Sequence, residues 1–172
     1  MLSTDLGDII VEVDIDRAPI TAQNFLAYVD GQLLDNTTCY RIVTLDNQPE
    51  TDVKIEVVQW GLPFVDKTYP TPLPAIAHET TEQTGLHHTA GALSMGRFAP
   101  GTASSGFVIC VTDQPELDFA GKRNPDGQGF AAFGRVVSGM DVVRAIHATG
   151  KPGTFEDQMI ADPVVIKTVR RA

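Results

Sequence analysis

Cysteine is scarce. Cys39 and Cys110 are the only two in 172 residues, too few for a disulfide scaffold. Each sits in an apolar run and reads as a buried free thiol. No run of about 18 apolar residues occurs, so a transmembrane helix is excluded. No basic, apolar leader precedes the first strand-like run, which reads as cytoplasmic as written; a periplasmic chain trimmed of its signal peptide would read the same. Basic residues are outnumbered, with 13 Lys+Arg against 22 Asp+Glu and a net charge of -9. That argues against nucleic acid or an anionic membrane as partner, because phosphate binding needs clustered Lys and Arg. The one basic cluster noted, Arg170-Arg171, reads as a solvated tail. Repeats, low-complexity tracts and interdomain linkers are missing too, so residues 1–172 are expected to form a single domain, taken as a monomer.

What the chain does have is turns, with 15 Gly and 11 Pro, punctuating short apolar runs. Gly7–Ile15 alternates with period two and predicts a strand. Pro19 suits a first helical position. Ala22, Phe25, Leu26 and Val29 follow at helical spacing, and Gly31 suits the stop. Thr38–Val43 and Lys54–Gln59 predict two further strands around a polar loop, Thr44–Val53. Gly61–Pro74 carries four prolines and reads as irregular surface chain. Ala92–Met95, Gly106–Val111 and Phe133–Val137 are strand candidates, and Asn124-Pro125-Asp126-Gly127 is a strong turn signal. Ser138 and Asp141 have capping-box spacing and open a second helix through Met140, Val143 and Ile146, ending near Thr149-Gly150. Val164–Val169 is the last strand. Many short strands with two helices predict a closed or sandwiched β architecture.

The usual carriers of chemistry are poorly represented. His78, Glu79, His87 and His88 match no metal-ligand spacing. Adjacent residues on a strand point to opposite faces, so His87 and His88 are not expected to share a ligand. Gly101–Gly106 lacks the lysine of a phosphate loop and the spacing of a nucleophile elbow, and reads as a tight surface loop. No Ser/His/Asp or Cys/His set declares itself. Two residues stand out: Arg41 inside the apolar run Cys39–Val43, and Gln59 at the end of Ile55–Gln59. A long donor on a core-like strand needs a polar partner or an opening to solvent; a strand arginine facing solvent is the bland alternative.

The ordered set of motifs resembles the cyclophilins, the family of peptidyl-prolyl cis-trans isomerases. Gly7-Asp8-Ile9, Ala18-Pro19 and Asn24-Phe25 match the first strand and helix. Tyr40-Arg41-Ile42 stands where the family has His-Arg-Val, and Gln59-Trp60-Gly61 stands for Gln-Gly-Gly. Gly91–Met95, Phe107-Val108-Ile109, Leu117-Asp118, Phe133–Val136 and Gly139–Val143 follow in the family's order. The Asn124–Gly127 loop is similar to the divergent bacterial branch. The resemblance implies a mainly β fold, a closed eight-stranded antiparallel β-barrel capped by two α-helices. It also implies an enzyme that needs no cofactor or metal and acts on proline-containing segments of unfolded or flexible proteins. Arg41 takes the catalytic role, with Gln59 beside it. Glu56, Val57, Gly96, Arg97, Val108, Leu117 and Phe130 fall at substrate-binding positions.

The resemblance carries departures. Counting back from Gln59 puts Glu56 at a pocket Phe, with Val57 as the alternative through a bulge. Val108 replaces a second Phe, Arg97 an Asn, and Glu116 a Trp; Phe130 replaces a His. Fewer pocket aromatics imply weaker activity, and Arg97 and Glu116 imply a rim that favours charged flanking residues. A non-catalytic proline-peptide-binding module or chaperone is the competing reading.

Overall fold

The computed structural model describes residues 1–62 and 71–171. Eight strands close into an antiparallel barrel in the order β1-β2-β7-β5-β6-β4-β3-β8. They are β1 Leu2–Thr4, β2 Gly7–Val13, β3 Thr38–Val43, β4 Val57–Gly61, β5 Ala92–Met95, β6 Phe107–Cys110, β7 Ala132–Ser138 and β8 Met159–Val169. Closure leaves no unpaired sheet edge, which is how so many short strands become stable together. Helix α1, Pro19–Asp30, presses Phe25 edge-on to Phe107 at 5.2 Å and against Phe133 at 5.3 Å. Trp60, Leu93, Ile109 and Phe133 fill the interior without exposure. Helix α3, Met140–His147, buries Val143 and Ile146 on the same core. A single turn of helix, α2, spans Thr81–Thr84.

Most predicted elements appear, and the differences have local causes. β1 was absent from the sequence reading, being only three residues long; a tight turn pairs Thr4 with Gly7. β2 stops at Val13 because the Asp14 carboxylate accepts from the Arg17 N–H at 2.9 Å and turns the chain. β4 begins at Val57, not Lys54. The Gln48 side chain takes the place of a strand neighbour, donating to Ile55 O at 2.8 Å and accepting from Ile55 N at 3.1 Å. β8 begins five residues before the expected Val164. Its pairing with β3 jumps from Arg41–Met159 to Cys39–Val164, and Pro163 sits in that interruption, where its missing N–H costs nothing.

The expected Ser138 capping box does not form. Ser138 is the last residue of β7, paired with Ile10. Gly139 is the N-cap at φ 93, with no side-chain cap. A Cβ there would lie 2.5 Å from the Asp8 carbonyl oxygen, so the turn admits only glycine. The capping box that does form is Thr80–Gln83 at α2. The Gly101–Gly106 loop is not a surface loop throughout: Ala103, Ser104 and Ser105 are buried. Asn24 donates to Ser104 O at 2.7 Å, and Ser104 Oγ lies 2.8 Å from Tyr28 Oη, tying the loop to α1. Arg170 and Arg171 are no free tail either; Asp35 and Asp30 pair with them. Of the irregular Gly61–Pro74 segment, Gly61 belongs to β4, and positions 63–70 lie outside the described residues.

Candidate active site

A cleft of about 210 Å³ opens where β3, β4 and β6 meet the loops after β5 and before β7 and β8. β3 supplies Arg41, and the antiparallel register sets it opposite Gln59 on β4. Gln59 in turn pairs with Val108 on β6. Alternation along β4 sends Val58 and Trp60 into the barrel and leaves Val57 and Gln59 on the cleft wall. Gly96, Arg97, Leu117 and Phe130 complete the expected set, and all of them line the same cleft.

Glu56 is the exception. It is not part of the cleft wall; its carboxylate accepts from the Thr112 hydroxyl at 3.0 Å. Glu56 precedes β4 and turns to Thr112, while its neighbour Ile55, held at its backbone by the Gln48 side chain, lines the cleft. Val57, one of the two alternatives from the sequence, lines the cleft, and so does Ile55, which the sequence does not single out. Glu116 is also off the wall, its carboxylate accepting from the Lys122 N–H at 2.8 Å.

Arg41 does not face free solvent. Its Nε and Nη2 donate to Gln158 Oε1 at 2.9 and 2.6 Å, and its Nη1 donates to Gln59 Oε1 at 3.0 Å. Gln158 is itself fixed, donating to Asn47 O at 2.6 Å. The Phe155 ring lies 5.0 Å from Arg41 Cζ and covers one face of the guanidinium. Both acceptors are neutral amides, so the cation is positioned without being neutralised. Burial pushes the Arg41 guanidinium down to about 10, with the nearby Arg123 adding to the effect against an opposing contribution from Tyr40. It therefore stays charged at neutral pH. Gln158 and Phe155 carry no sequence signal: they precede β8, more than a hundred residues from Arg41, and only barrel closure brings them together.

Arg97 is used differently from the expectation. Its side chain is 1% exposed and paired with Asp126 at 2.7 Å. It also donates to Gly129 O and stacks over the Phe130 ring at 5.0 Å. It braces the Asn124–Gly127 turn and Phe130 rather than offering a charge at the rim. Its main-chain neighbour Gly96 remains on the wall, held by its N–H to Gly106 O at 2.9 Å.

A Ser/His/Asp line that the sequence did not declare lies behind the cleft. Ser94 Oγ is 2.8 Å from His88 Nε2, and His88 Nδ1 is 2.6 Å from Asp118 Oδ1. Ser94 and the His88 side chain are wholly buried, so no substrate carbonyl reaches them. The line instead anchors the residue after Leu117. His87 reaches the other oxygen of Asp118 at 2.9 Å. The two histidines thus converge on one carboxylate, because they lie outside any strand and alternation does not apply. Burial pushes the Asp118 carboxyl up, but hydrogen bonds from His88 and His87 more than offset this and hold it below the usual value. Cys39 and Cys110 are free and buried. Burial pushes each thiol up to about 12, so neither is a nucleophile at neutral pH.

Comparison with known proteins adds to this geometry. Residues 1–171 match the family model described as "Cyclophilin type peptidyl-prolyl cis-trans isomerase/CLD". The chain is 33% identical over 169 residues to peptidyl-prolyl cis-trans isomerase B of Escherichia coli, covering 96% of this chain and 94% of that one. It is 33% identical over 172 residues to the isomerase cyp18 of Streptomyces antibioticus, covering 98% and 95%. Among solved structures, a Cryptosporidium parvum cyclophilin-type isomerase crystallised in the presence of the dipeptide Ala-Pro superposes with a TM-score of 0.73. It shares 19% identity, covering 99% of this chain and 97% of that one.

Proposed function

Because the chain belongs to the cyclophilin-type peptidyl-prolyl cis-trans isomerases, we propose that Arg41 is its electrostatic centre and that its substituted pocket makes it a slow member. The enzyme accelerates rotation about X–Pro bonds. That rotation is slow because amide resonance must be broken, at a barrier of about 18–20 kcal/mol for an ordinary peptide bond. No nucleophile or proton carrier is needed. As the bond twists, the prolyl nitrogen becomes pyramidal and regains its lone pair. A guanidinium N–H aimed at that nitrogen is stronger in the twisted state than in either planar isomer, and so lowers the barrier.

The observation that carries this reading is the neutral-amide cradle of Arg41. Gln59 and Gln158 fix three of its N–H groups, of five in a guanidinium. A group already oriented has no reorganisation left to do when the bond twists. Val57, Val108, Leu117 and Phe130 form the apolar seat for the proline ring. Valine at 57 and 108 offers less surface than an aromatic ring would. The missing CH₂-equivalents, at about 0.8 kcal/mol each, amount to a roughly tenfold or greater loss in efficiency.

The test is isomer exchange at a single X–Pro bond, followed by NMR exchange spectroscopy in short peptides. Wild type accelerates exchange. Arg41→Ala abolishes the acceleration while peptide still shifts the resonances of Gln59 and Phe130. Acceleration that survives Arg41→Ala removes Arg41 from the mechanism. A wild type that binds without accelerating any peptide is a proline-peptide-binding module instead.

A further inference from the structure

The cleft that holds Arg41 contains a second cation, for which the described residues supply no counter-charge. Arg123 lies on the loop between Leu117 and Phe130 and lines the same cavity. Its Nη1 donates to the Val53 carbonyl at 2.6 Å, and its own N–H donates to Glu116 O at 3.1 Å. The guanidinium is thus held at the cleft by a neutral acceptor, as Arg41 is. The third arginine, Arg97, already has Asp126. Among the described residues no carboxylate pairs with Arg41 or Arg123, and no Asp or Glu lines the cavity. This arrangement is set in a chain with 22 Asp+Glu and a net charge of -9. Burial lowers the pKa of both groups, and Arg123 adds to the lowering at Arg41. Two like charges in a partly dry cleft disfavour each other, and an entering anion relieves both.

Building on the isomerase reading above, we propose that Arg123 is a specificity-determining residue that selects X–Pro segments carrying a carboxylate side chain next to the proline. The selection operates at contact. At distance the chain's net charge repels an acidic peptide, but salt screens that repulsion beyond about 8–10 Å. Inside the cleft a carboxylate meets a pre-placed guanidinium whose N–H fork matches its geometry. Arg123 acts on the flanking residue and leaves the prolyl nitrogen to Arg41, so it divides binding from chemistry.

The experiment uses the whole chain and a peptide series with Glu, Gln, Ala or Lys at the two positions before and the one after the proline. Exchange rates by NMR give kcat/KM for each. Wild type is expected to favour Glu over Lys by about tenfold in at least one position, the size of one charge-assisted hydrogen bond. The ratio falls to near one in Arg123→Gln and is retained in Arg123→Lys, which keeps the cation; thermal melts confirm that both variants are folded. Equal turnover of Glu and Lys peptides by wild type, with the Ala peptide accelerated, overturns this proposal and leaves the isomerase reading intact. So does a Glu preference that survives Arg123→Gln. If no peptide is accelerated at all, the isomerase reading itself fails.

Discussion

Replacing Gln158 by leucine tests whether positioning of Arg41, rather than its mere presence, carries catalysis. Gln158 is 2% exposed, and leucine is of similar size, so the cavity is not emptied. Two hydrogen bonds from Arg41 are lost, at 2.9 and 2.6 Å, and the Asn47 carbonyl loses its donor. Hydrogen bonds to charged groups contribute about 1.5–3 kcal/mol each. Water entering the cleft compensates part of this, leaving a stability loss of roughly 1–3 kcal/mol and a Tm drop of several degrees, at ~2–4 °C per kcal/mol for a chain this size. Catalysis suffers more. Gln59 alone still tethers the guanidinium at Nη1, and a displacement of about 1 Å costs on the order of a hundredfold in rate. We expect kcat/KM by NMR exchange to fall roughly 10- to 100-fold, mainly in kcat, because in the proposed mechanism the bond to the prolyl nitrogen is made only in the twisted state. Gln158→Glu separates position from charge. It restores the one acceptor oxygen for Arg41 Nε and Nη2 and keeps Arg41 in place, but neutralises it and, like leucine, gives the Asn47 carbonyl no donor; kcat falls although the guanidinium is held, and the stability loss at Asn47 is shared with the leucine variant. A Gln158→Leu enzyme within threefold of wild type, measured where it is fully folded, or a Gln158→Glu enzyme faster than wild type, refutes the reasoning.

Three other outcomes follow from the geometry. Val108→Phe enlarges the apolar seat opposite Gln59 and, at roughly 2 kcal/mol of added burial, should raise kcat/KM for Ala-Pro peptides by about 30-fold; unchanged kinetics in a folded variant would refute the proposal that valine at 108 limits turnover. Asp118 is held below its ordinary value of 3.8 in the fold, so its ionisation stabilises the protein above that value and the stabilisation drains away as pH falls through the lowered folded-state pKa. Urea unfolding at stepped acidic pH should therefore show a shallower acid decline for Asp118→Asn than for wild type, and parallel curves would dismiss the carboxylate as the cause. Glu79 reaches across the fold to accept from the N–H groups of Ile20 and Thr21 at 3.1 and 2.7 Å, satisfying the start of α1. Glu79→Ala should lower stability by about 1–3 kcal/mol in a denaturant titration with no change in the Arg41 cradle, and a loss under about 0.5 kcal/mol would show that water caps α1 equally well.

The elements legible in the sequence were those whose signal is local. The period-two run of β2, the proline-led helix α1 with its apolar stripe, the Asn124–Gly127 turn and the apolar strands β5 to β7 all show in windows shorter than a dozen residues. Elements decided by side chains from elsewhere were misplaced. Gln48 replaced three residues of expected strand before Val57, and backbone crowding by Asp8 at Gly139 set the N-terminus of α3 where the Ser138 spacing pointed one residue earlier. Glu56 belongs to the displaced stretch before Val57, and its carboxylate goes to Thr112 instead of the cleft.

The candidate site divides along the same line. The identity of Arg41 and Gln59 as polar groups on apolar strands, and their membership of a specific ordered set of motifs, belong to the linear chain. That Gln158 and Phe155 hold and cover the guanidinium, that Arg97 is consumed by Asp126, and that Arg123 reaches the same cleft on the Val53 carbonyl belong to tertiary structure alone. Hydrophobic period and turn chemistry act between near neighbours and leave a mark in sequence. Hydrogen bonds and ion pairs between residues 29 to 117 positions apart leave none, because any polar residue type at either end could serve until barrel closure brings one particular pair within 3 Å.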